Sequence, residues 1–382
     1  MAITLAPPTP DRAATGWVAL AHRLGPAFAE RAAGHDADDS FVAENYAALK
    51  EAGVFSAHVP AELGGGGASH EEICAFMRTL ARSCSSTALA LSMHTHQVAT
   101  TVWRWRHDRA PVDALLRRVA AEGLVLVSSG GSDWLAGSGK AVKVEGGYRV
   151  SGRKIFSSGC PSGNLLMTSA VYDDPKAGPT VLHFALPLGA EGVRVLDTWH
   201  TMGMRATGSH DVLMEDVFVP DAAIGAGRPQ GKWHHLFHLT VLIALPIVYA
   251  VYVGVAEAAR ELAIREATKK RHDPELPYLV GEMDTELATA RLALRAMIDA
   301  AASARPGPET TNDSLIARTL AGRAAIRTVE KAMEVAGGGS FYRRLGLERL
   351  FRDVQGARFH PLQEKRQLRY TGRLALGLDI DD

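Results

Sequence analysis

The sequence predicts an α+β protein in which a middle β-sheet domain sits between two helical ones, and three observations predict it. Residues 1–122 carry helical spacing and capping signals, residues 123–226 break into short β-rich runs joined by turns, and residues 227–382 return to helical periods punctuated by proline. These three stretches are taken as an N-terminal α-helical domain, a middle β-sheet domain and a C-terminal helical domain. A length of 382 residues suits one or two lobes around a substantial core and is too great for a single small sandwich.

In the first stretch Ser69 and Glu72 form a capping-box pattern ahead of Ile73, Phe76, Met77 and Leu80, which predicts a helix start. Gly53 follows Tyr46, Leu49 and Ala52 as a helix stop, and the glycines at 64–67 are a loop. In the second stretch strands are predicted at 140–144, 148–156, 165–172, 180–186 and 211–219, with Gly146-Gly147 as a hairpin turn between the first two. The third stretch is interrupted at Pro274 and at the Arg305-Pro306-Gly307-Pro308 loop. It opens with residues 236–256, which carry no charged side chain and are long enough to cross a bilayer. Pro246, the histidines at 234, 235 and 238, and the unbroken helical pattern through Glu257, Arg260, Glu261 and Arg265 favour a buried core helix over a membrane span.

Forty-two Lys and Arg balance forty-two Asp and Glu, so the chain lacks the electrostatic footprint of a nucleic-acid or anionic-membrane binder. Cys74, Cys84 and Cys160 lie far apart, without the spacing of a disulfide framework or a structural zinc site, and no metal is expected. With a Pro-rich N-terminus that does not read as a signal peptide, the expected location is the cytoplasm.

Four segments, taken in order, resemble the acyl-CoA dehydrogenase superfamily of flavoproteins. They are Leu49-Lys50-Glu51-Ala52-Gly53-Val54 leading to Val59-Pro60-Ala61-Glu62-Leu63-Gly64-Gly65; Gly131-Ser132-Asp133 with the later Gly147-to-Lys154 run; Gly203-Met204-Arg205-Ala206-Thr207-Gly208-Ser209 running into Val219-Pro220; and Gly337-Gly338-Gly339 followed by Glu348-Arg349-Leu350-Phe351-Arg352-Asp353. The resemblance implies a C-terminal four-helix bundle and a flavin, FAD or FMN, held between the sheet domain and helices of neighbouring subunits in a dimer or tetramer. It implies that Phe156 packs near the flavin ring, that Ser158 bonds its N5/O4 edge, that Ser132 lies in the loop before the β-domain strands and takes part in cofactor binding, and that Arg271 with Gly337 and Gly338 serves a neighbouring subunit's cofactor. Glu334 stands where the family usually has glutamine, and its charge opposes a diphosphate, which keeps FMN open beside FAD.

The carboxylate that a dehydrogenase of this family uses to remove an α-proton is missing from both places where the resemblance puts it, which here are Pro361 and Ala244; Glu364 is the nearest acid on the later segment. Histidines stand in that neighbourhood instead. His360 adjoins the first position, and His94 and His96 lie on an early helix that borders the substrate pocket in relatives, where at most one of the two faces the flavin. With Phe156-Ser157-Ser158-Gly159-Cys160 and the late histidine, the chain is most similar to the two-component monooxygenases of the superfamily. Oxygenation needs no α-proton base, but it needs hydrogen-bond donors and a group that moves a proton, and Ser157, Ser158, His360, His94 and His96 are the candidates. No GxGxxG follows a strand, which fits a separate flavin reductase as partner, with O₂ and a small organic molecule as substrates and no nucleic acid or membrane. The alternatives are an acyl-CoA dehydrogenase with an atypical base, His360 or Glu364, and a non-catalytic flavin-binding protein.

Overall fold

The computed structural model describes residues 16–129, 131, 133–303 and 305–381. The N-terminal helices are α1 (Gly16–Asp38), α2 (Ala43–Glu51), α3 (His70–Ala81), α4 (Ser85–Trp103) and α5 (Asp113–Glu122). The capping box closes as the sequence predicts: the Glu72 amide donates to Ser69 Oγ at 3.2 Å and the Ser69 amide to Glu72 Oε2 at 2.8 Å. Gly53 takes φ 71°, a left-handed turn that ends the α2 region.

The sheet holds β1 (Leu126–Ser128), β2 (Lys140–Val144), β3 (Gly147–Lys154), β4 (Leu165–Asp174), β5 (Gly178–Pro187), β6 (Val193–Val195), β7 (Val212–Pro220) and β8 (Ile224–Pro229). Its order is β6-β7-β3-β2-β4-β5-β8, with β1 parallel to β4. β2 and β3 form the predicted hairpin, Val144 opposite Gly147. Three expectations are corrected. The sheet continues through β8 to Pro229, past residue 226, because residues 224 and 226–229 pair with β5. The three strands β1, β6 and β8 were not predicted. β3 ends at Lys154 and not at Phe156, because Phe156 turns out of the strand at φ 61°.

The C-terminal helices are α6 (His235–Thr268), α7 (Leu276–Ser303), α8 (Pro308–Ala336), α9 (Leu347–Val354) and α10 (Glu364–Ala375). The long α6 lies against α3, α4, α7 and α8. It is long and apolar enough to span a membrane, yet 94% of its most apolar window is buried within the protein, as a core helix requires. Close packing sets its path. A Cβ added at Gly254 would stand 2.2 Å from the Arg78 carbonyl of α3. Near Pro246, which cannot donate to the turn before it, His70 Nε2 donates to the Ile243 carbonyl at 2.9 Å. One hydrophobic core runs through the helices, a second lies on the sheet, and a smaller third joins α4, α5 and β1.

Candidate functional site

The site begins where β3 ends. The Lys154 side chain is fully buried and its Nζ donates to Asp133 Oδ2 at 2.7 Å and to the Ser138 carbonyl at 2.8 Å, which ties the loop after β1 to the end of β3. Two residues on, the left-handed backbone at Phe156 leaves its ring 50% exposed, a large apolar surface held open. Trp199 stands edge-on to it, centroids 6.0 Å apart and planes at 90°. Trp199 is itself fixed, since Nε1 donates to the Met204 carbonyl at 3.0 Å and its amide donates to His210 Nδ1 at 3.1 Å. That second contact needs a neutral His210, and burial holds its pKa below the usual histidine value.

Beside the ring runs a row of hydroxyls. Ser158 Oγ lies 2.7 Å from Ser209 Oγ, Ser209 Oγ lies 2.6 Å from Thr207 Oγ1, and Thr207 Oγ1 donates to the Met204 carbonyl at 2.9 Å. Met204 anchors this wall to the helical body, its amide donating at 2.5 Å to Asp353 Oδ1, while Ser85 of α4 donates to the other oxygen of the same buried carboxylate. Arg352 completes the joint with a two-pronged contact to Asp36 at 3.0 and 2.5 Å. Arg352 and Asp353 therefore act as separate anchors, one to α1 and one to α4 and the loop at Met204.

A second group of side chains comes from α4, α6 and the segment after α9. His360 Nε2 lies 2.6 Å from the Tyr252 hydroxyl of α6, and its carbonyl accepts from Arg318 Nη2 of α8 at 2.6 Å. Burial, the Arg318 charge and His96 press the His360 pKa down to about 3, so its ring is neutral at physiological pH. Burial raises the Tyr252 phenol, so that group is neutral as well. His96 lies close enough to His360 to lower its pKa, is itself held by burial and by His94 at a pKa of about 4, and makes no hydrogen bond to another residue among the described residues. The loop after β1 reaches both groups, with Asp133 on Lys154 and Gly131 against Pro361, where an added Cβ would be 3.9 Å from the proline ring.

Other expected residues fall elsewhere. His94 is spent on the scaffold: the Leu126 amide donates to Nδ1 at 2.9 Å and Nε2 donates to the Phe55 carbonyl at 2.8 Å, which leaves no ring nitrogen for chemistry. Ser157 is fully buried and its hydroxyl turns back to the Lys154 carbonyl at 3.5 Å, so it presents no donor to a ligand. Ser132 lies outside the described residues. Arg271 is exposed beyond the end of α6, and the sixteen residues from Tyr252 to Thr268 put it about 24 Å along the helix from His360. Lys270 Nζ lies 3.3 Å from where a Cβ on Gly337 would be, so the turn after α6 and the loop holding Gly337 and Gly338 do adjoin. Glu334 is paired with Lys331 at 2.9 Å. Glu364 is held by both nitrogens of Arg323, at 2.9 and 2.5 Å, which lowers its pKa. Thr207 and Ser209 were legible only as part of a motif, whereas His210 and Arg318 carried no sequence signal of their own.

An exposed aromatic face beside a hydroxyl edge fits a flat heteroaromatic ring with a polar rim, which is the shape of a flavin. The architecture and this site define a flavoprotein of the acyl-CoA dehydrogenase type. The acyl-CoA dehydrogenase N-terminal, middle and C-terminal domains match residues 24–122, 128–217 and 247–364, and the chain belongs to that family. It is 30% identical to the amino sugar nitrososynthase RubN8 of Streptomyces rubradiris over 95% of this chain and 90% of that protein. It is 28% identical to the putative acyl-CoA dehydrogenase YdbM of Bacillus subtilis over 90% of this chain and 92% of that one. Among solved structures it is similar to KijD3 in complex with FMN and dTDP-3-amino-2,3,6-trideoxy-4-keto-3-methyl-D-glucose, with a TM-score of 0.87 and 29% identity, covering 99% of this chain and 97% of that chain.

Proposed function

We propose that the chain is a flavin-dependent monooxygenase that takes reduced flavin from a separate reductase and oxidises a small organic molecule with O₂. The observation that carries this reading is the replacement of the family's base by neutral groups. Pro361 and Ala244 occupy the two base positions, Glu364 is tied to Arg323, and His360, with a pKa of about 3, is far too weak a base to take an α-proton at neutral pH. The same properties suit oxygen chemistry. A neutral imidazole has one N–H and one lone pair to offer, and with Nε2 engaged by the Tyr252 hydroxyl the ring keeps Nδ1 for a ligand. When bound, the flavin supplies the oxygen-activating chemistry, and the FMN complex of KijD3 supports FMN as its form.

In this reading Phe156, backed by Trp199, covers one face of the ring, Ser158 meets its polar edge, and His360 and His96 hold donors in a pocket that the buried α6 keeps dry. Arg271, Gly337 and Gly338 lie too far along α6 to serve their own chain's site, which supports a homo-oligomer, dimer or tetramer, in which they serve a neighbour's flavin. Three free, buried cysteines support a reducing, cytoplasmic setting.

The test compares two reactions of the purified protein. Loaded with photoreduced FMN and exposed to O₂, it should release peroxide more slowly than free reduced FMN does. Loaded with oxidised flavin and offered a panel of acyl-CoAs, it should not bleach. Bleaching coupled to enoyl-CoA formation would make it a dehydrogenase and overturn the proposal.

A further inference from the structure

We infer that Ser209 and Thr207 fix the polarity of Ser158, turning its hydroxyl into a hydrogen-bond acceptor and so tuning the site to the reduced form of the flavin. This rests on the reading that Ser158 meets the flavin's polar edge. Each hydroxyl in the row has one hydrogen to give. Thr207 gives its own to the Met204 carbonyl, which lies at 2.9 Å and can only accept. The contact of 2.6 Å between Thr207 and Ser209 must then use the Ser209 hydrogen, and the contact of 2.7 Å between Ser209 and Ser158 must use the Ser158 hydrogen. Thr207 and Ser209 are buried while Ser158 is only partly so, which makes Ser158 the member that meets a ligand. It meets the ligand with lone pairs only.

The reverse order, with Thr207 giving to Ser209 and Ser209 to Ser158, turns the Ser158 hydrogen outward but leaves the Thr207 to Met204 bond unmade. It therefore holds two internal hydrogen bonds where the first order holds three. Met204 gains nothing from the reversal, because its carbonyl already accepts from the Thr207 amide at 3.1 Å and from Trp199 Nε1 at 3.0 Å in either order. A reduced flavin carries hydrogen on N5, and an oxidised flavin has a lone pair there. An acceptor at Ser158 matches the first and opposes the second. The oxidised ring must reverse the row to bind as well, at the loss of one hydrogen bond, which is about a fivefold difference in affinity. Ser209 and Thr207 touch no ligand in this scheme and are positioning residues.

The experiment measures dissociation constants for oxidised and photoreduced FMN, anaerobically, by quenching of tryptophan fluorescence, on the full chain and on Ser209→Ala and Thr207→Val. The unaltered protein should bind reduced FMN at least about fivefold more tightly, equivalent to raising the two-electron potential of bound FMN by about 20 mV over free FMN. Both substitutions free Ser158 to donate, Ser209→Ala by removing its acceptor and Thr207→Val by leaving Ser209 to give to Ser158. The preference should therefore fall toward one, mainly through tighter binding of oxidised FMN. A loss of overall structure, which a purely structural role would produce, would weaken both forms alike. Equal affinity for the two forms in the unaltered protein overturns the inference, whether or not either variant folds, and so does an unchanged ratio in a folded variant. Either result leaves the flavin site intact. Failure of the unaltered protein to bind FMN in either state would instead refute the flavin reading, and the inference with it.

Discussion

Acidification should loosen the joint between α4 and β1, because His94 is built in as a neutral ring. Its Nδ1 accepts the Leu126 amide at 2.9 Å, and a protonated imidazole has no lone pair to do so. Burial lowers its pKa from 6.5 to about 4. A histidine depressed in the native state takes up a proton when the chain opens, so its contribution is complete above pH 6.5 and is lost as pH falls toward 4. Between pH 7 and pH 5 these two values give a loss of roughly 1.8 kcal/mol, about a twentyfold rise in the opening equilibrium around His94. Hydrogen exchange read at the Leu126 amide, corrected for the intrinsic pH dependence of exchange, reports that equilibrium directly. His94→Gln should exchange faster at pH 7, because one or both contacts weaken, but should lose most of the extra acceleration on going to pH 5. His58 and His96, also buried with pKa values of about 4, add the same sign of pH dependence wherever the opening exposes them, so the difference in slope between the two proteins isolates His94. Equal slopes would refute the assignment of His94 as a neutral structural acceptor.

Three further outcomes follow from the site. His360→Ala should leave FMN binding nearly unchanged while cutting product formation by about a hundred- to a thousandfold, the usual effect of losing a positioned donor, with a matching rise in peroxide release per flavin oxidised. Phe156→Ala removes the exposed face beside Trp199 and should weaken FMN binding by about 1–3 kcal/mol, read by fluorescence titration. Asp353→Ala orphans the buried Met204 amide and the Ser85 hydroxyl together, and a shift of the urea unfolding midpoint equivalent to about 3 kcal/mol is expected.

Much of the fold was legible because its local signals agree with its tertiary demands. The run at 140–144 coincides with β2, Ser69 and Glu72 cap α3, and the uncharged stretch at 236–256 is the buried α6. The strands that escaped are those whose sequences argue against them. β1 and β6 are three residues each, too short to show alternation, and β8 reads Ile-Gly-Ala-Gly-Arg-Pro, the composition of a loop. β8 is an edge strand paired only with β5, so proline and glycine are tolerated where a central strand would exclude them.

The site was less legible, and the helix period accounts for much of the reason. His94 and His96 stand two residues apart and point to different sides of α4, so one of them was bound to miss the pocket, but nothing in the sequence says which. The choice is made by distant partners: Leu126 and Phe55 claim the ring of His94, while His96 faces His360. Tyr249 and Tyr252 did carry an overlooked signal. Two tyrosines about one turn apart in an otherwise apolar helix must each find a hydrogen-bond partner for a hydroxyl that burial would leave stranded. Both find it in one short segment, Tyr249 on the Ala357 carbonyl at 2.7 Å and Tyr252 on His360 at 2.6 Å. The requirement that stabilises α6 in the core thus also fixes residues 357–360 against it, and His360 is bonded by a phenol that burial keeps neutral and, among the described residues, has no carboxylate as a hydrogen-bond partner.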